Sequence, residues 1–404
     1  MPEAVIVSAT RTPIGRANKG SLKDFRPDDL TAFIAQAALD KVPGLDPATI
    51  DDFYLGCGLP GGEAGNNMAR IVTTLMGYEI PGATVTRYCS SSVQTTRMAF
   101  HAIKAGEGDA FISAGVETVS RFQFGTSDHI PNTKNPKFAD AQARSEEYAK
   151  GGKDWHDPRE DGQLPDIYIS MGQTAENVAR MRGLKREDLD AFGVRSQNLA
   201  EKAIADGFWA REITPVTLAD GTVVSADDGP RAGVTYDAVK DLKPVFRPDG
   251  VVTAANCCPL NDGAAAVVIM SDTRAAELGL TPLARIVSTG VSGLSPEIMG
   301  LGPVEASRKA LKNAGMTIDD IDLVEINEAF AAQVLPSAED LGVDIDKLNV
   351  NGGAIAVGHP FGMTGARLQN TMLNSLDWHD KTTGLITMCV GGGQGMALIL
   401  ERLS

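Results

Sequence analysis

The sequence predicts an α/β fold made of two similar halves, on three observations. Short apolar runs alternate with amphipathic stretches over roughly the first 120 residues. The run Ala264–Met270 is almost wholly apolar, as suits a central strand buried on both faces. Three segments also recur in the same order, about 270 residues apart.

Taken in order, Ala4–Ala9 reads as a strand and Asp28–Lys41 as a helix, its apolar residues recurring at three- and four-residue steps. Phe53–Cys57 reads as a strand, Ser91–Ala105 as a helix and Ala110–Gly115 as a buried strand. From about Arg121 to Asp249 the composition changes. Asn132–Asp166 is polar and rich in Lys, Asp, Glu, Gly and Pro, which predicts a long excursion over the surface. Helical patterns over Gln173–Arg182 and Lys185–Asp206 follow, so the stretch is a compact insertion rather than a linker. Val251–Ser271 returns to strand-like sequence.

The final third repeats the first in outline. Asp319–Ile326 echoes Ala48–Leu55, and Thr382–Cys389 parallels Gly108–Gly115. The segment around His359 leads into a helix, as does that around Cys89. One half is expected over residues 1–120 with 250–272, the other over 273–404, and the insertion over 121–249. The paired loops then meet between the halves, a favoured place for an active site.

A chain of 404 residues fits two or three domains, and 43% hydrophobic with 22% charged residues is ordinary for a globular protein. A net charge of −15 argues against general nucleic-acid binding, although local Arg or Lys residues can still hold an anionic ligand. No apolar run approaches the roughly 18 residues of a membrane span. The N-terminus reads as a strand rather than a secretory signal. Five cysteines, without Cys-x-x-Cys spacing, argue against a disulfide framework and for the reducing cytoplasm. The adjacent Cys257 and Cys258 lack a clustered histidine, so packing is expected there and no metal.

Four residues carry the chemistry. Cys89 stands in Val-Thr-Arg-Tyr-Cys-Ser-Ser-Ser-Val-Gln and Asn327 in Asn-Glu-Ala-Phe. His359 stands in Gly-His-Pro-Phe-Gly-Met-Thr-Gly and Cys389 in Cys-Val-Gly-Gly-Gly-Gln-Gly. Cys89 precedes a helix start, where N–H dipoles are expected to lower a thiol pKa. The glycines around His359 predict an exposed ring. The glycines after Cys389 let backbone approach a ligand and offer N–H groups. A nucleophilic thiol, a base, a second thiol that moves a proton and donors for an oxyanion together point to acyl transfer through a thioester.

From end to end the chain resembles a thiolase. The resemblance is carried by Ser8–Gly15, the Cys89 segment, Ala114–Ser120, Met171–Asn177, Asn261–Ala265, Glu325–Ala331, Asn351–Pro360 and Cys389–Gly395. It implies a five-layered α/β/α/β/α core of duplicated halves, with the insertion as a loop domain holding coenzyme A. It implies that His359 takes the proton of Cys89 and that Cys389 exchanges a proton with the acetyl group. The N–H groups of Cys89 and Gly391 would form one oxyanion hole, and His359 with a water on Asn327 the other. Glu328 is expected to support the site rather than act as base.

By the same resemblance, Arg231 packs near the CoA nucleotide, and Met171, Phe246, Ala254 and Phe330 line the pantetheine tunnel. Coenzyme A is a substrate, and no permanently bound cofactor is implied. A homodimer or homotetramer is expected, with room for a β-oxidation partner subunit. Four positions depart from the family pattern. Cys258 replaces a serine near the pantetheine amide, Ser170 replaces a histidine of acetoacetyl-type members, Ser92 a glycine and Thr86 an asparagine. The absent histidine and Phe361 favour a degradative, broad-chain 3-oxoacyl-CoA thiolase. The competing readings are a decarboxylating ketoacyl synthase, which would lack Cys389, and a non-catalytic lipid carrier, which would commonly lose a catalytic group.

Overall fold

The computed structural model describes residues 2–124 and 132–404, so positions 125–131 of the expected insertion lie outside the described residues. Ser91–Ala105 forms a helix with the predicted bounds. It ends at Gly106, whose φ of 75° gives the left-handed turn that closes a helix. The helix expected over Asp28–Lys41 runs Pro27–Leu39, with proline in its first turn, where the missing N–H costs nothing.

The strands follow one path: Leu323–Ile326, Thr383–Val390, Gln394–Arg402, Ala284–Gly293, Ala4–Arg11, Asn261–Ser271, Ala110–Thr118, Asp52–Cys57 and Gly82–Val85. Inward from each end the wiring is the same. Asp52–Cys57 lies parallel to Ala110–Thr118, and Leu323–Ile326 parallel to Thr383–Val390. Each pair is followed by two antiparallel neighbours. The blocks join through two residue pairs, Val5 with Arg285 and Ile6 with Ala284. The edge strand Gly82–Val85 has a counterpart reduced to a single bridge between Val324 and Leu348.

Alternation of side chains then builds layers. Along Asn261–Ser271, Ala264, Ala266, Val268 and Met270 pack with the Pro27–Leu39 helix in an outer core. Ala265, Val267 and Ile269 face a central core, which also takes Met396, Leu398 and Leu400 from the other half. The helices Ser91–Ala105 and Phe361–Trp378 lie in that central layer and touch strands of both blocks. Ala397 and Ile399 turn to a third core with the helices Met171–Met181 and Ala331–Leu341. Helix, sheet, helix, sheet and helix follow in order, the five layers that the resemblance implies.

Two local expectations need correction. Asn132–Asp166 is not a bare excursion, because Ala139–Ala149 forms a helix within it. Of Val251–Ser271, only Asn261–Ser271 is a strand. The residues before it are irregular, and the Glu176 carboxylate caps the N–H groups of Val251 and Val252, both at 3.0 Å. The helices expected over Gln173–Arg182 and Lys185–Asp206 run Met171–Met181 and Arg186–Ala205, and a short helix, Tyr236–Val239, was not expected.

Candidate active site

Cys89 sits in a one-turn helix, Tyr88–Ser90, just before the helix Ser91–Ala105. The Ser91 hydroxyl clamps the turn, accepting from the Arg87 N–H at 2.9 Å and donating to the Tyr88 carbonyl at 2.6 Å. Tyr88 has a φ of 43°, a strained conformation for a residue with a bulky side chain. Cys89 opens onto a cavity of about 410 Å³ shared with Tyr88, Met171, Phe361 and Gly391.

The thiol is partly accessible from this cavity and enclosed by protein on its other sides. Burial, and then the Glu117 carboxylate, push its pKa up to about 12, while the N–H groups of Gly391 and of Cys89 itself pull it down. The expectation of a net lowered pKa is therefore corrected. The donors are present, but desolvation of the charged form outweighs them.

Gly391 comes from the other half. The strands Thr383–Val390 and Gln394–Arg402 are joined by Gly391–Gly393, and the last two adopt φ values of 77° and 76°. Cys389 lies in the strand rather than in a loop. It is fully buried, and burial, then the proximity of Cys89, raises its pKa well above the ordinary range. Cys258 is raised by burial, Cys257, Cys89 and Cys389, so three thiols from separate segments converge.

His359 is 1% exposed, against the expectation of an exposed ring. It lies behind Phe361, edge to face at 5.3 Å between ring centres. Burial, then Arg367, lower its pKa to about 3, so the ring is neutral at physiological pH. Its backbone N–H donates to Asn261 Oδ1 at 2.9 Å. Its Nδ1 lies 2.6 Å from Thr364 Oγ1, and the Thr364 hydroxyl donates to the Pro360 carbonyl at 2.8 Å. A Thr364 hydroxyl that donates to Pro360 can accept from Nδ1–H, the tautomer that leaves Nε2 as an acceptor facing Asn327. Asn327 Nδ2 is 3.3 Å from Nε2, and Asn327 Oδ1 is buried without a hydrogen-bond partner among the described residues.

Glu328 accepts from Ser196 Oγ, Asn349 Nδ2 and the Ile355 N–H at 2.6, 2.8 and 3.1 Å. These bonds tie its carboxylate away from base chemistry. Among the described residues, no group of three or more His, Cys, Asp or Glu could hold a metal ion.

Of the expected CoA contacts, Met171 shares the cavity of Cys89. Phe246 and Phe330 meet edge to face at 6.0 Å and pack with Cys258. Arg231 and Ala254 line a different cavity of about 310 Å³, which shares no lining residue with the first.

Three supporting residues escaped sequence reasoning. Thr364 and Asn261 fix the ring and backbone of His359. Glu117 accepts from the N–H groups of Gly58, Leu59 and Gly362 at 2.7, 3.2 and 2.8 Å, tying the cavity lip to the start of the His359 helix. Its burial raises its pKa to about 7. A threonine in the first turn of a helix that begins beside a histidine was the available signal for Thr364.

Comparison with known proteins agrees with this architecture. Residues 4–273 match the model of the thiolase N-terminal domain, and residues 280–402 that of the thiolase C-terminal domain. The chain is 42% identical to a 3-ketoacyl-CoA thiolase of Bacillus subtilis (strain 168), covering 99% of this chain and 100% of that protein. It is 43% identical to the 3-oxoadipyl-CoA/3-oxo-5,6-dehydrosuberyl-CoA thiolase of Escherichia coli (strain K12), covering 100% of both. The crystal structure of human mitochondrial 3-ketoacyl-CoA thiolase superposes with a TM-score of 0.87 at 34% identity, covering 100% of this chain and 99% of that one. The chain therefore belongs to the thiolase family.

Proposed function

We propose that this thiolase cleaves 3-oxoacyl-CoA with CoA through an acyl-Cys89 intermediate. The observation that carries the reading is the meeting of Cys89 with the Gly391 N–H and Cys389 from the opposite half. The resting pair is a neutral thiol and a neutral imidazole, so proton transfer accompanies attack. His359 Nε2 takes the Cys89 proton as sulfur bonds to the 3-keto carbon. The Cα–Cβ bond then breaks, and the Cys389 thiol protonates the departing acetyl-CoA enolate. In the second half-reaction the Cys389 thiolate takes the proton of an incoming CoA thiol. The CoA sulfur bonds to the acyl carbon, and the Cys89 sulfur recovers its proton from His359.

Two donor sets support this chemistry. The N–H groups of Cys89 and Gly391 serve one oxyanion. His359, with a water on the Asn327 amide, serves the other, and the open acceptor Asn327 Oδ1 is consistent with water there. Thr364 acts as a positioning residue that sets the His359 tautomer. Arg231, Ala254, Phe246, Phe330, Cys258 and Met171 serve CoA. No permanently bound cofactor is needed.

The apolar lining Leu59, Ile167, Ile169, Met171 and Phe361 supports a degradative enzyme of broad chain length. We further propose the domain division 1–120 with 250–272, 121–249 and 273–404, a cytoplasmic location, and a homodimer or homotetramer. The outer edge of Gly82–Val85, unpaired among the described residues, supports self-association. No helix among the described residues is long and apolar enough to cross a membrane.

The test is thiolysis of a 3-oxoacyl-CoA ladder from short to long chains. Cleavage by the wild type, abolished in Cys89→Ser, supports the reading, and the preferred length names the substrate. A wild type inactive at every length overturns it.

A further inference from the structure

We infer that the loop carrying Arg16 and Lys19 in the N-terminal half is a second phosphate-binding arm for the CoA nucleotide, facing Arg231 across one cavity. This rests on the CoA-dependent reading above and adds two residues to it. The cavity of about 310 Å³ is lined by Arg16, Lys19 and Arg231, with Val234, Ala254 and Leu260 among its apolar walls. A lining of apolar side chains and three cations suits a ligand that is part hydrophobic and part phosphate.

The charge balance points to an anion. The chain carries a net −15, and most of its arginines find a carboxylate. Arg11, five residues upstream, is buried between Glu212 and Asp227. None of Arg16, Lys19 and Arg231 forms an ion pair among the described residues. The guanidinium of Arg16 has one hydrogen bond, to the Gly229 carbonyl at 3.3 Å. Asp228 binds the backbone of this loop rather than its cationic side chains. Its Oδ2 accepts from the Arg16 N–H at 2.9 Å, the Ser21 N–H at 2.8 Å and the Ser21 hydroxyl at 3.1 Å. Three cations that make no side-chain ion pair among the described residues therefore line one cavity, a setting that favours an anionic ligand.

The arm is also held in place. The Gly20 N–H donates to the Arg16 carbonyl at 2.7 Å, and Asn18 takes a left-handed φ of 66°. The Asn18 N–H donates to Ser120 Oγ at 2.6 Å, whose hydroxyl is bonded to Asp262. In the same cavity, the Arg231 N–H donates to Gln197 Oε1 at 2.9 Å. The nucleotide is thus gripped from two segments that are far apart in sequence.

The experiment compares CoA, dephospho-CoA and pantetheine as acyl acceptors in wild type, Arg16→Gln, Lys19→Gln and Arg16→Lys. The neutral variants should lower the preference for CoA over pantetheine about five- to tenfold through KM, with kcat held. Arg16→Lys should recover most of that preference. An effect retained with dephospho-CoA assigns the pyrophosphate, and one lost with it assigns the 3′-phosphate. An unchanged CoA preference, or equal losses with CoA and pantetheine, overturns the proposal. Calorimetric titration of CoA into wild type and Arg16→Gln reads the same contact without turnover. Equal affinities there contradict the arm even if no thiolysis is found.

Discussion

The two halves share one wiring, and the difference that bears on the site is one hairpin. In the second half, Thr383–Val390 and Gln394–Arg402 are closed by the three residues Gly391–Gly393. In the first half, the equivalent strands Ala110–Thr118 and Asn261–Ser271 are separated by the whole insertion. The tight turn delivers a backbone N–H to the Cys89 sulfur, and the open one carries Arg231 and the wall of a second cavity. The proposed nucleophile and the proposed base divide in the same way. Cys89 and His359 each precede a central helix of their own half. On the proposed reading, a repeated unit supplies chemistry from both copies, and one copy carries the proposed CoA-holding insertion where the other has a turn.

Breaking the division of labour at the nucleophile should have the largest effect. Cys89→Ser should lower thiolysis about 10⁴-fold or more, with fold and CoA binding retained, as a steady-state assay with calorimetry would show. Next is the turn. One glycine inserted between Gly392 and Gly393 makes the second hairpin resemble the open first one and withdraws the Gly391 N–H. Loss of one oxyanion donor predicts a fall of about 10²- to 10³-fold in kcat. An unchanged kcat would show that the Gly391 N–H is not used.

Thr364→Val tests a smaller contribution. It removes the oxygen that fixes Nδ1–H, so both tautomers of His359 become accessible. The expected loss is about 10- to 100-fold in kcat, with KM for the acyl substrate little changed. The smallest effect is on pH dependence. His359 at about 3 lies below its ordinary value near 6.5. A neutral ring in the folded state means that the unfolded chain binds the extra proton below about pH 6.5. The stabilising contribution is therefore present above that pH and is lost as pH falls toward 3. The melting temperature of the wild type should drop more steeply from pH 7 to 5 than that of His359→Asn. Parallel slopes would contradict the buried neutral ring.

Local periodicity made much of this architecture legible. Ser91–Ala105 follows the spacing of its apolar residues, and the run Ala264–Met270 is buried because each of its faces meets a different core. The offset of about 270 residues corresponds to equivalent strands in the two blocks. The burial of His359 was not legible, because glycine has two uses. A Cβ on Gly362 would lie 2.5 Å from the Val116 carbonyl, and one on Gly365 would lie 2.5 Å from the Val93 nitrogen. These glycines admit neighbouring backbone instead of opening a loop, and the ring is enclosed as a result. The Cys89 pKa was misjudged for a related reason. The helix start was visible in the sequence, whereas the protein enclosing the sulfur comes from distant segments. Thr364 and Asn261 bear on the site through hydrogen bonds to His359, which periodicity does not encode.

The most direct measurement is intact-mass spectrometry, with peptide mapping, of the protein mixed with a 3-oxoacyl-CoA in the absence of free CoA. One acyl group on Cys89, discharged when CoA is added and missing in Cys89→Ser, is the predicted result. An unmodified Cys89 while acetyl-CoA is released, or an acyl group on any other residue, would contradict the account.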